Sequence, residues 1–334
     1  MDVLPRFRRR ATVALASALT AAVALAGCSA DNTEPETSVS STEGFPRTVE
    51  HFRGSTTLDE APLRVVALDT SYADATLLLE SELVGYVDYR TEGLPDYLGD
   101  APEKYAANAV SVGKVADVSL EKIAALEPDL ILSAEVRNGE QYEELSAIAP
   151  TVFSQSTGPT WKDNIRLAAR ALGKEDLAEQ KIGEYEARAK AIGDEINASA
   201  NNPTVSVVRF AGEPTARLYR TTSFSGIVLE DAGLARPESQ GPDPADPSSI
   251  MNAISPELIA QADADVIFVS MYRDGDGKSE GAAQPFLTNP LWGNLRGRKI
   301  DVDDSLWMTP VSIQGAHLIL DDLAEAFGVD PHKG

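Results

Sequence analysis

One phrase occurs twice in this chain of 334 residues. The first copy, "SLEKIAALEPDLIL", covers residues 119–132, and the second, "SPELIAQADADVIF", covers residues 255–268, 136 positions further on. The two copies are identical at six of fourteen positions when they are aligned without gaps. In each copy a serine typical of a helix N-cap precedes a short helical periodicity and then a buried apolar run, which predicts a helix followed by a strand. The chain is therefore expected to contain two similar structural units.

Short apolar runs alternate with helical patterns on both sides of a long helical region. Between Trp161 and Ala200 the periodicity is helical throughout, and residues 174–200 alone are long enough for about seven turns. Strands that alternate with helices are typical of a mostly parallel sheet covered on both faces. The sequence therefore predicts an α/β fold, with an N-terminal lobe at 46–173, a connecting helix at 174–200 and a C-terminal lobe at 201–330.

The N-terminus has the pattern of an export signal. The basic stretch "RFRRR" precedes the apolar run "ATVALASALTAAVALAG", which predicts a secretory signal peptide over residues 1–27. The following "LAGC" resembles the bacterial lipobox, in which the cysteine, here Cys28, is lipidated and becomes the new N-terminus. Residues 28–45 are polar and predict a flexible tether. We therefore expect a protein at the cell membrane, lipid-anchored on the extracytoplasmic face.

The charge balance limits the possible partners. Without residues 1–27 the chain has 25 basic and 51 acidic residues, a net charge of −26. A surface of this sign makes nucleic acid an unsuitable partner. A site for an anionic ligand would need arginines that are concentrated locally.

Four phrases, taken in order, resemble one known family: "TVEHFRGSTTLDEAPLRVVALD", "VADVSLEKIAALEPDLILSA", "SFSGIVLEDAGLARP" and "ISPELIAQADADVIFVS". They are similar to the substrate-binding lipoproteins of iron–siderophore ABC importers, in the siderophore and vitamin B12 branch of the periplasmic binding proteins. The resemblance covers residues 46–328. It implies two Rossmann-like lobes joined by one long rigid helix, with a ferric siderophore bound in the cleft between them and delivered to an ABC importer permease dimer. The same resemblance implies a monomer that needs no cofactor, because iron arrives inside its chelator.

Cationic and aromatic residues follow the predicted strands, where ligands bind in open α/β sheets. Arg209 follows the buried run "TVSVV" and is the first candidate for a ligand contact. Guanidinium groups offer delocalised charge and stack on rings, so this pattern predicts an anionic, partly aromatic ligand and disfavours cationic hydroxamates. The complete set of predicted ligand-binding residues is Arg209, Arg90, Tyr272, Arg273, Tyr72, Arg220, Tyr219, Arg137 and Trp307.

Other ligands and activities fit the sequence less well. A zinc or manganese site needs clustered histidines with carboxylates, but His51, His317 and His332 occur in separate parts of the sequence. Haem or a corrinoid stays open as the ligand of the same fold, and haem could take an axial tyrosine from Tyr72, Tyr89, Tyr219 or Tyr272.

An extracytoplasmic hydrolase is the alternative from another class. A G-x-S-x-G nucleophile elbow lies directly between a strand and a helix. The stretch "GKSEG" at residues 277–281 has this spacing, but the polar stretch "YRDGD" separates it from the apolar run that ends at Met271, and "SFSG" at residues 223–226 lacks the pattern. The sequence therefore favours a binding protein over an enzyme.

The repeated phrase contains one further candidate pair. Glu121 and Glu257 occupy the same place in the two copies, two residues after the serine. An acidic side chain in the first turn of a helix is stabilised by the helix dipole, which is a sufficient structural reason for both. The family resemblance implies a second role, in which each glutamate pairs with arginines on one half of the permease. A single connecting helix also predicts that the two lobes move little relative to one another.

Overall fold

A computed structural model describes residues 44–88 and 92–333 of the chain. The predicted signal peptide, Cys28, residues 28–43 of the tether, Tyr89 and Arg90 lie outside the described residues, so the expectations about them stay predictions. Across the described ranges no helix is long and apolar enough to cross a membrane.

The N-terminal lobe contains a hairpin and a six-stranded sheet. The hairpin pairs β1 (Arg47–His51) with β2 (Gly54–Leu58). The sheet has the order β6-β5-β4-β3-β7-β8, and only β6 is antiparallel to its neighbour. Its strands are β3 (Val65–Ala67), β4 (Leu83–Asp88), β5 (Val110–Lys114), β6 (Asp117–Val118), β7 (Leu130–Ala134) and β8 (Thr151–Ser154). Its helices are α1 (Thr70–Leu78), α2 (Ala101–Tyr105), α3 (Leu120–Ala125), α4 (Glu135–Asn138), α5 (Tyr142–Ser146) and α6 (Trp161–Leu172), with 3₁₀ turns at Asp96–Leu98 and Gly139–Gln141.

The connecting helix α7 spans Glu175–Ala200, close to the predicted 174–200. Gly173 ends α6 with φ 69°, in the left-handed region that glycine adopts at little cost. Asn201 ends α7 in the same way, with φ 59°. Every strand of the six-stranded sheet precedes α7, and every strand of the second sheet follows it.

The C-terminal lobe contains a five-stranded sheet of order β11-β10-β9-β12-β13. Its strands are β9 (Val205–Phe210), β10 (Ala216–Tyr219), β11 (Met251–Ile254), β12 (Val266–Met271) and β13 (Arg298–Val302). Its helices are α8 (Phe224–Asp231), α9 (Lys278–Leu287), α10 (Pro290–Gly293), α11 (Asp304–Trp307) and α12 (Ile313–Phe327), with 3₁₀ segments at Glu238–Gln240 and Pro256–Ala262.

The second sheet is less parallel than the sequence predicts. Strand β10 runs antiparallel to both β9 and β11, and Arg217 lies opposite Arg209 in the ladder. Only residues 211–215 separate β9 from β10. Antiparallel strands can be joined by such a short turn, whereas a parallel crossover needs a dozen or more residues.

The two copies of the repeated phrase occupy equivalent places. Each leads from the edge strand of its sheet, β6 or β11, to the strand beside the first strand of that sheet, β7 or β12. Ser119 caps α3, because its hydroxyl accepts a hydrogen bond from the Lys122 N–H at 3.3 Å. The expectation that Ser255 caps a helix in the same way is wrong, since Pro256–Ala262 is a 3₁₀ segment and Ser255 makes no capping bond.

The apolar core continues from one lobe to the other. Trp161 of α6 lies edge-on to Tyr185 of α7 and to Phe224 of α8, with ring centroids 5.3 and 5.5 Å apart. Beside these rings, Asp231 of α8 accepts a hydrogen bond from Lys162 at 2.9 Å and another from the Tyr185 hydroxyl at 2.8 Å. Helices α6, α7 and α8 are therefore fastened to one another where the lobes meet.

Candidate ligand-binding cleft

Several cavities border the short helix α11, and three of them are described here. The first has a volume of about 720 Å³ and is called here the arginine cavity, because Arg137, Arg209 and Arg217 line it. The second, of about 360 Å³, is called the acidic cavity after Asp74, Glu92 and Asp96. The third, of about 740 Å³, lies at the ends of β12 and β13. Residues of both lobes line the arginine and acidic cavities, so these two form a cleft between the lobes.

Arg209 is buried at the end of β9 and forms a two-pronged ion pair. Its Nε donates to Oδ1 of Asp304 at 2.6 Å, and its Nη2 donates to Oδ2 at 2.8 Å. Its Nη1 donates to the Tyr219 hydroxyl at 3.0 Å. Asp304 also accepts a hydrogen bond from the Ser270 hydroxyl at 2.6 Å. The first ligand candidate of the sequence analysis thus lines the arginine cavity, but three of its five N–H groups are already engaged.

The surroundings keep Arg209 charged. Burial lowers its pKa, but the hydrogen bonds and negative charge of Asp304, together with Tyr219, outweigh burial and raise the pKa above the usual arginine value. Arg209 is 4% exposed, so its partners replace the water that a guanidinium would otherwise hold.

The two other arginines of the arginine cavity also have carboxylate partners. Nε of Arg137 donates to Oδ2 of Asp69 at 2.7 Å, and the Asp69 side chain is 3% exposed. Arg217 pairs with Glu213, four residues earlier in the chain. Neither of these two carboxylates, nor Asp304, lines the arginine cavity itself.

Two predicted tyrosines lie beside Arg209. Tyr219 is buried and lines the arginine cavity. The ring of Tyr272 is centred 5.9 Å from Cζ of Arg209, and Tyr272 lines the third cavity together with the exposed Arg273. The structure therefore groups Arg137, Arg209, Tyr219, Tyr272 and Arg273 around the cleft and the adjoining third cavity.

Two predicted ligand residues are placed differently from the expectation. Tyr72 is 1% exposed, packs in the core and lines none of the three cavities, so it offers no surface to a ligand. Arg220 donates to the Gly241 carbonyl at 2.9 Å and pairs with Asp243 at 3.0 Å. Arg220 lines none of the three cavities.

Trp307 lies at the wall of the arginine cavity with its ring in the core. Its side chain is fully buried against Phe268, with centroids 4.8 Å apart, and its Nε1 donates to Asp322 at 2.6 Å. Trp307 therefore shapes the cavity wall and presents almost no ring surface to it.

The sequence analysis missed Arg217, Ser225 and the carboxylates that hold the arginines. Strand β10 runs antiparallel to β9, which brings Arg217 at the start of β10 beside Arg209 and to the cleft. The short turn at 211–215 was the available signal. Ser225 is 2% exposed, lines the arginine cavity, and its hydroxyl has no hydrogen-bond partner in the described part of the chain.

Asp74 is a buried carboxylate on the wall of the acidic cavity. It accepts a hydrogen bond from the Tyr97 hydroxyl at 2.9 Å, and its backbone carbonyl accepts one from Gln314 of α12, also at 2.9 Å. Burial raises the pKa of Asp74 to about 7, against the opposing effect of hydrogen bonds from Ser312 and Tyr97. Asp74 therefore changes charge near neutral pH at a contact between the lobes.

Glu121 and Glu257 are both exposed, one on each lobe, in the first turn of their helical segments. A hydrogen bond from Ser255 lowers the pKa of Glu257, which favours its charged form. Both carboxylates are accessible to a partner.

The residues considered for a metal site and for hydrolysis make other contacts in the described ranges. No group of three or more His, Cys, Asp or Glu residues there could hold a metal ion. His51 contacts Thr56, His317 contacts Arg188 and His332 contacts Glu195, each within hydrogen-bond distance. Ser223, the serine considered for a hydrolase, caps α8: its hydroxyl accepts from the Gly226 N–H at 3.0 Å and donates to the Arg220 carbonyl at 2.6 Å.

Two α/β sheets, one connecting helix and a polar cleft between the lobes define a two-lobed ligand-binding protein. The sequence pattern of the periplasmic binding proteins matches residues 65–298, and this chain belongs to that family. The predicted family resemblance and fold class are confirmed.

The chain is also similar to individual proteins that are named for iron chelates or siderophores. The chain is 35% identical to the Bacillus subtilis protein named "Probable siderophore-binding lipoprotein YfiY", over 92% of this chain and 95% of that protein. It is 27% identical to the Fe(3+) dicitrate-binding periplasmic protein FecB of Escherichia coli, over 86% of this chain and 92% of that protein. Among solved structures, Staphylococcus aureus SirA complexed with staphyloferrin B superimposes with a TM-score of 0.75 at 27% identity, covering 86% of this chain and all of SirA.

Proposed function

We propose that this protein is an extracytoplasmic receptor that binds a ferric siderophore and delivers it to the permease dimer of an ABC importer. Relatives named for ferric chelates and for a siderophore support the proposal. The observation that carries it is the arginine cavity, which both lobes line with arginine, tyrosine and serine side chains. These side chains suit the oxygen-rich surface of a chelate.

The receptor works as a monomer, without catalysis and without a resident cofactor. In a ferric siderophore the chelator saturates the coordination sphere of the iron, so the receptor needs to supply no metal ligand. Its task is to recognise the outside of the chelate. Hydrogen-bond donors on rigid strands and helices are suited to that task.

Binding is tested by titrating the intrinsic tryptophan fluorescence of the mature protein with ferric catecholate, carboxylate and hydroxamate chelates, and with hemin. Trp307 lies at the wall of the arginine cavity, so occupancy of the cavity is expected to change its emission. One ferric chelate should saturate the protein at one equivalent and raise its melting temperature. Saturation by hemin alone would replace the siderophore proposal by haem binding, and turnover of a chelate would indicate an enzyme.

Attachment to the membrane is part of the proposal and rests on Cys28. Cys28→Ala should leave the protein unprocessed or release it from the membrane. The measurement is fractionation of cells with a blot for the protein. A variant that fractionates and migrates like wild type would contradict the lipid anchor.

Docking to the permease is assigned to Glu121 and Glu257. One exposed carboxylate on each lobe suits a two-fold partner, and charges at the rim of an interface direct encounter and register. The double variant Glu121→Ala/Glu257→Ala should lose uptake of radiolabelled ferric chelate while keeping its affinity for that chelate. The matched control replaces Glu103 and Glu238, which are also exposed first-turn glutamates, one per lobe. Normal uptake by the first double variant would leave both residues with a helix-stabilising role alone.

A further inference from the structure

The charges behind the arginine cavity bear on which chelates the cleft accepts. Arg137, Arg209 and Arg217 line the cavity, and each contacts a carboxylate that does not line it: Asp69, Asp304 and Glu213, respectively. Each pair lies within one lobe. These six side chains carry no net charge, so a ligand meets guanidinium N–H groups whose positive charge is already balanced.

A contribution to folding stability is not a sufficient reason for the buried Arg209–Asp304 ion pair. Both side chains are at most 5% exposed. A buried ion pair loses hydration at a cost that its attraction often fails to recover, and apolar replacements of similar size are frequently as stable or more stable. Because Arg209 of this pair lines the arginine cavity, the effect of the pair on the ligand is the simpler explanation.

The carboxylate partners balance the positive charge of the arginines but leave some of their N–H groups able to donate hydrogen bonds to a ligand. Arg209 uses three of its five N–H groups, and Arg137 uses its Nε–H. Ser225 adds a buried hydroxyl without a partner among the described residues, and Tyr219 adds a phenol. Such groups bind carbonyl, hydroxamate or carboxylate oxygens of a chelate whether or not the chelate carries a large negative charge.

We infer that Asp304 is a specificity-determining residue: by balancing Arg209 it makes the cleft select ferric chelates of low net charge over multiply charged anions. This inference rests on the proposed function and narrows its ligand class. It also revises the sequence-based expectation of an anionic ligand, which counted the arginines without their partners. Asp69 acts on Arg137 in the same sense from the other lobe.

The test compares two probes, a neutral ferric tris-hydroxamate and a ferric tris-catecholate, which is a multiply charged anion. Asp304→Asn keeps the shape of the side chain and an acceptor for Arg209 but removes the charge. The affinity for the anionic chelate, relative to the neutral one, should rise about tenfold for each unit of ligand charge at roughly 10 Å and an effective dielectric constant of about 20. Wild-type protein should prefer the neutral chelate.

Two further variants keep the test decisive. Asp69→Asn makes the same charge change in the N-terminal lobe and should shift selectivity in the same direction, so the test survives if Asp304→Asn does not fold. Asp243→Asn removes a carboxylate from Arg220, which lies outside all three cavities, and should leave selectivity unchanged. Melting curves verify that each variant is folded.

The outcomes separate the inference from the function on which it rests. Tightest binding of the anionic chelate by wild type, or equal shifts in Asp304→Asn and Asp243→Asn, would overturn the role of Asp304 while leaving a siderophore receptor. Failure of the protein to bind any ferric chelate would overturn the proposed function, and the inference with it.

Discussion

Removing either partner of the Arg209–Asp304 pair leaves the other charge buried. Arg209→Ala and Asp304→Ala should each lower the free energy of unfolding by about 3–5 kcal/mol. The double variant should lose clearly less than the sum, because it leaves neither charge alone. Urea unfolding of the four proteins measures this coupling, and strictly additive losses would contradict it. The sequence indicates Arg209 as a candidate ligand contact but does not indicate its buried partner Asp304, so this cost to folding could not be predicted from the sequence.

The raised pKa of Asp74 predicts a specific pH dependence of stability. Its pKa of about 7 in the folded protein exceeds that of an unfolded aspartate, about 3.9. Between these values the folded state holds a proton that the unfolded state lacks, so the contribution of Asp74 to stability falls as pH rises from about 4 to about 7. Asp69 and Tyr97 are the titratable neighbours that act on it.

Asp74→Asn should remove this dependence. Relative to wild type, the free energy of unfolding of the variant should be higher, and this gain should grow from roughly 1 kcal/mol at pH 5 to roughly 4 kcal/mol at pH 8. Thermal unfolding at several pH values measures the difference, and Asp96→Asn, an exposed carboxylate of the same cavity, is the control. A difference that does not change with pH would show that Asp74 is charged throughout this range.

At the scale of single residues, the sequence indicates the cationic residues of the cleft but not the carboxylates that pair with them. Arg137, Arg209 and Tyr219 line the arginine cavity, and their contact with a ligand stays a prediction. The sequence points to them because residues that follow buried strands lie where ligands bind in open α/β sheets. Asp69 and Asp304 are separated from the arginines they hold by 68 and 95 positions. No local pattern indicates such a pairing, so the charge of the cleft could not be predicted.

Helix α7 passes another backbone so closely that one position requires glycine. A Cβ at Gly193 would lie 1.6 Å from the carbonyl oxygen of Ala232, just after α8, whereas a Cβ at Gly183 would meet nothing within 4 Å. Gly193→Ala should therefore destabilise the protein by about 1–3 kcal/mol or more. Gly183→Ala, in the same helix, should stabilise it by about 0.5–1 kcal/mol. Chemical denaturation of both variants makes the comparison, and a harmless Gly193→Ala would mean that α7 can move away from α8.

Long elements were predicted well from sequence, and short ones were not. Helices α6 and α7 fall within the region Trp161–Ala200 that the sequence predicts to be helical, and Gly173 separates them. The hairpin β1–β2 was missed because only Val49 and Leu58 of its ten residues are buried, so it lacks a clear apolar alternation. Short elements of this kind depend on contacts made elsewhere in the chain.

At the scale of the whole molecule, the interface between the lobes resists separation. Trp161, Tyr185 and Phe224 form one aromatic group, and Lys162 reaches Asp231 across it. Small-angle scattering with and without a bound ferric chelate should therefore show only a slight compaction. A large closure, as in hinged binding proteins, would contradict the single rigid helix.

The apolar core that the two lobes share also determines how the protein unfolds. One apolar cluster includes Val65 and Leu132 of the first sheet, Ile192 of α7, and Val207 and Phe268 of the second sheet. Two-domain proteins often unfold in separate steps. Here neither sheet keeps its full core when the other is lost, so heating should give a single calorimetric transition whose van't Hoff and calorimetric enthalpies agree. By the same reasoning, residues 201–330 expressed alone should be insoluble or loosely packed, because α8 and α12 would expose the faces that now cover α6 and α7. The two lobes should therefore fold as one unit, although each lobe contains its own copy of the repeated phrase.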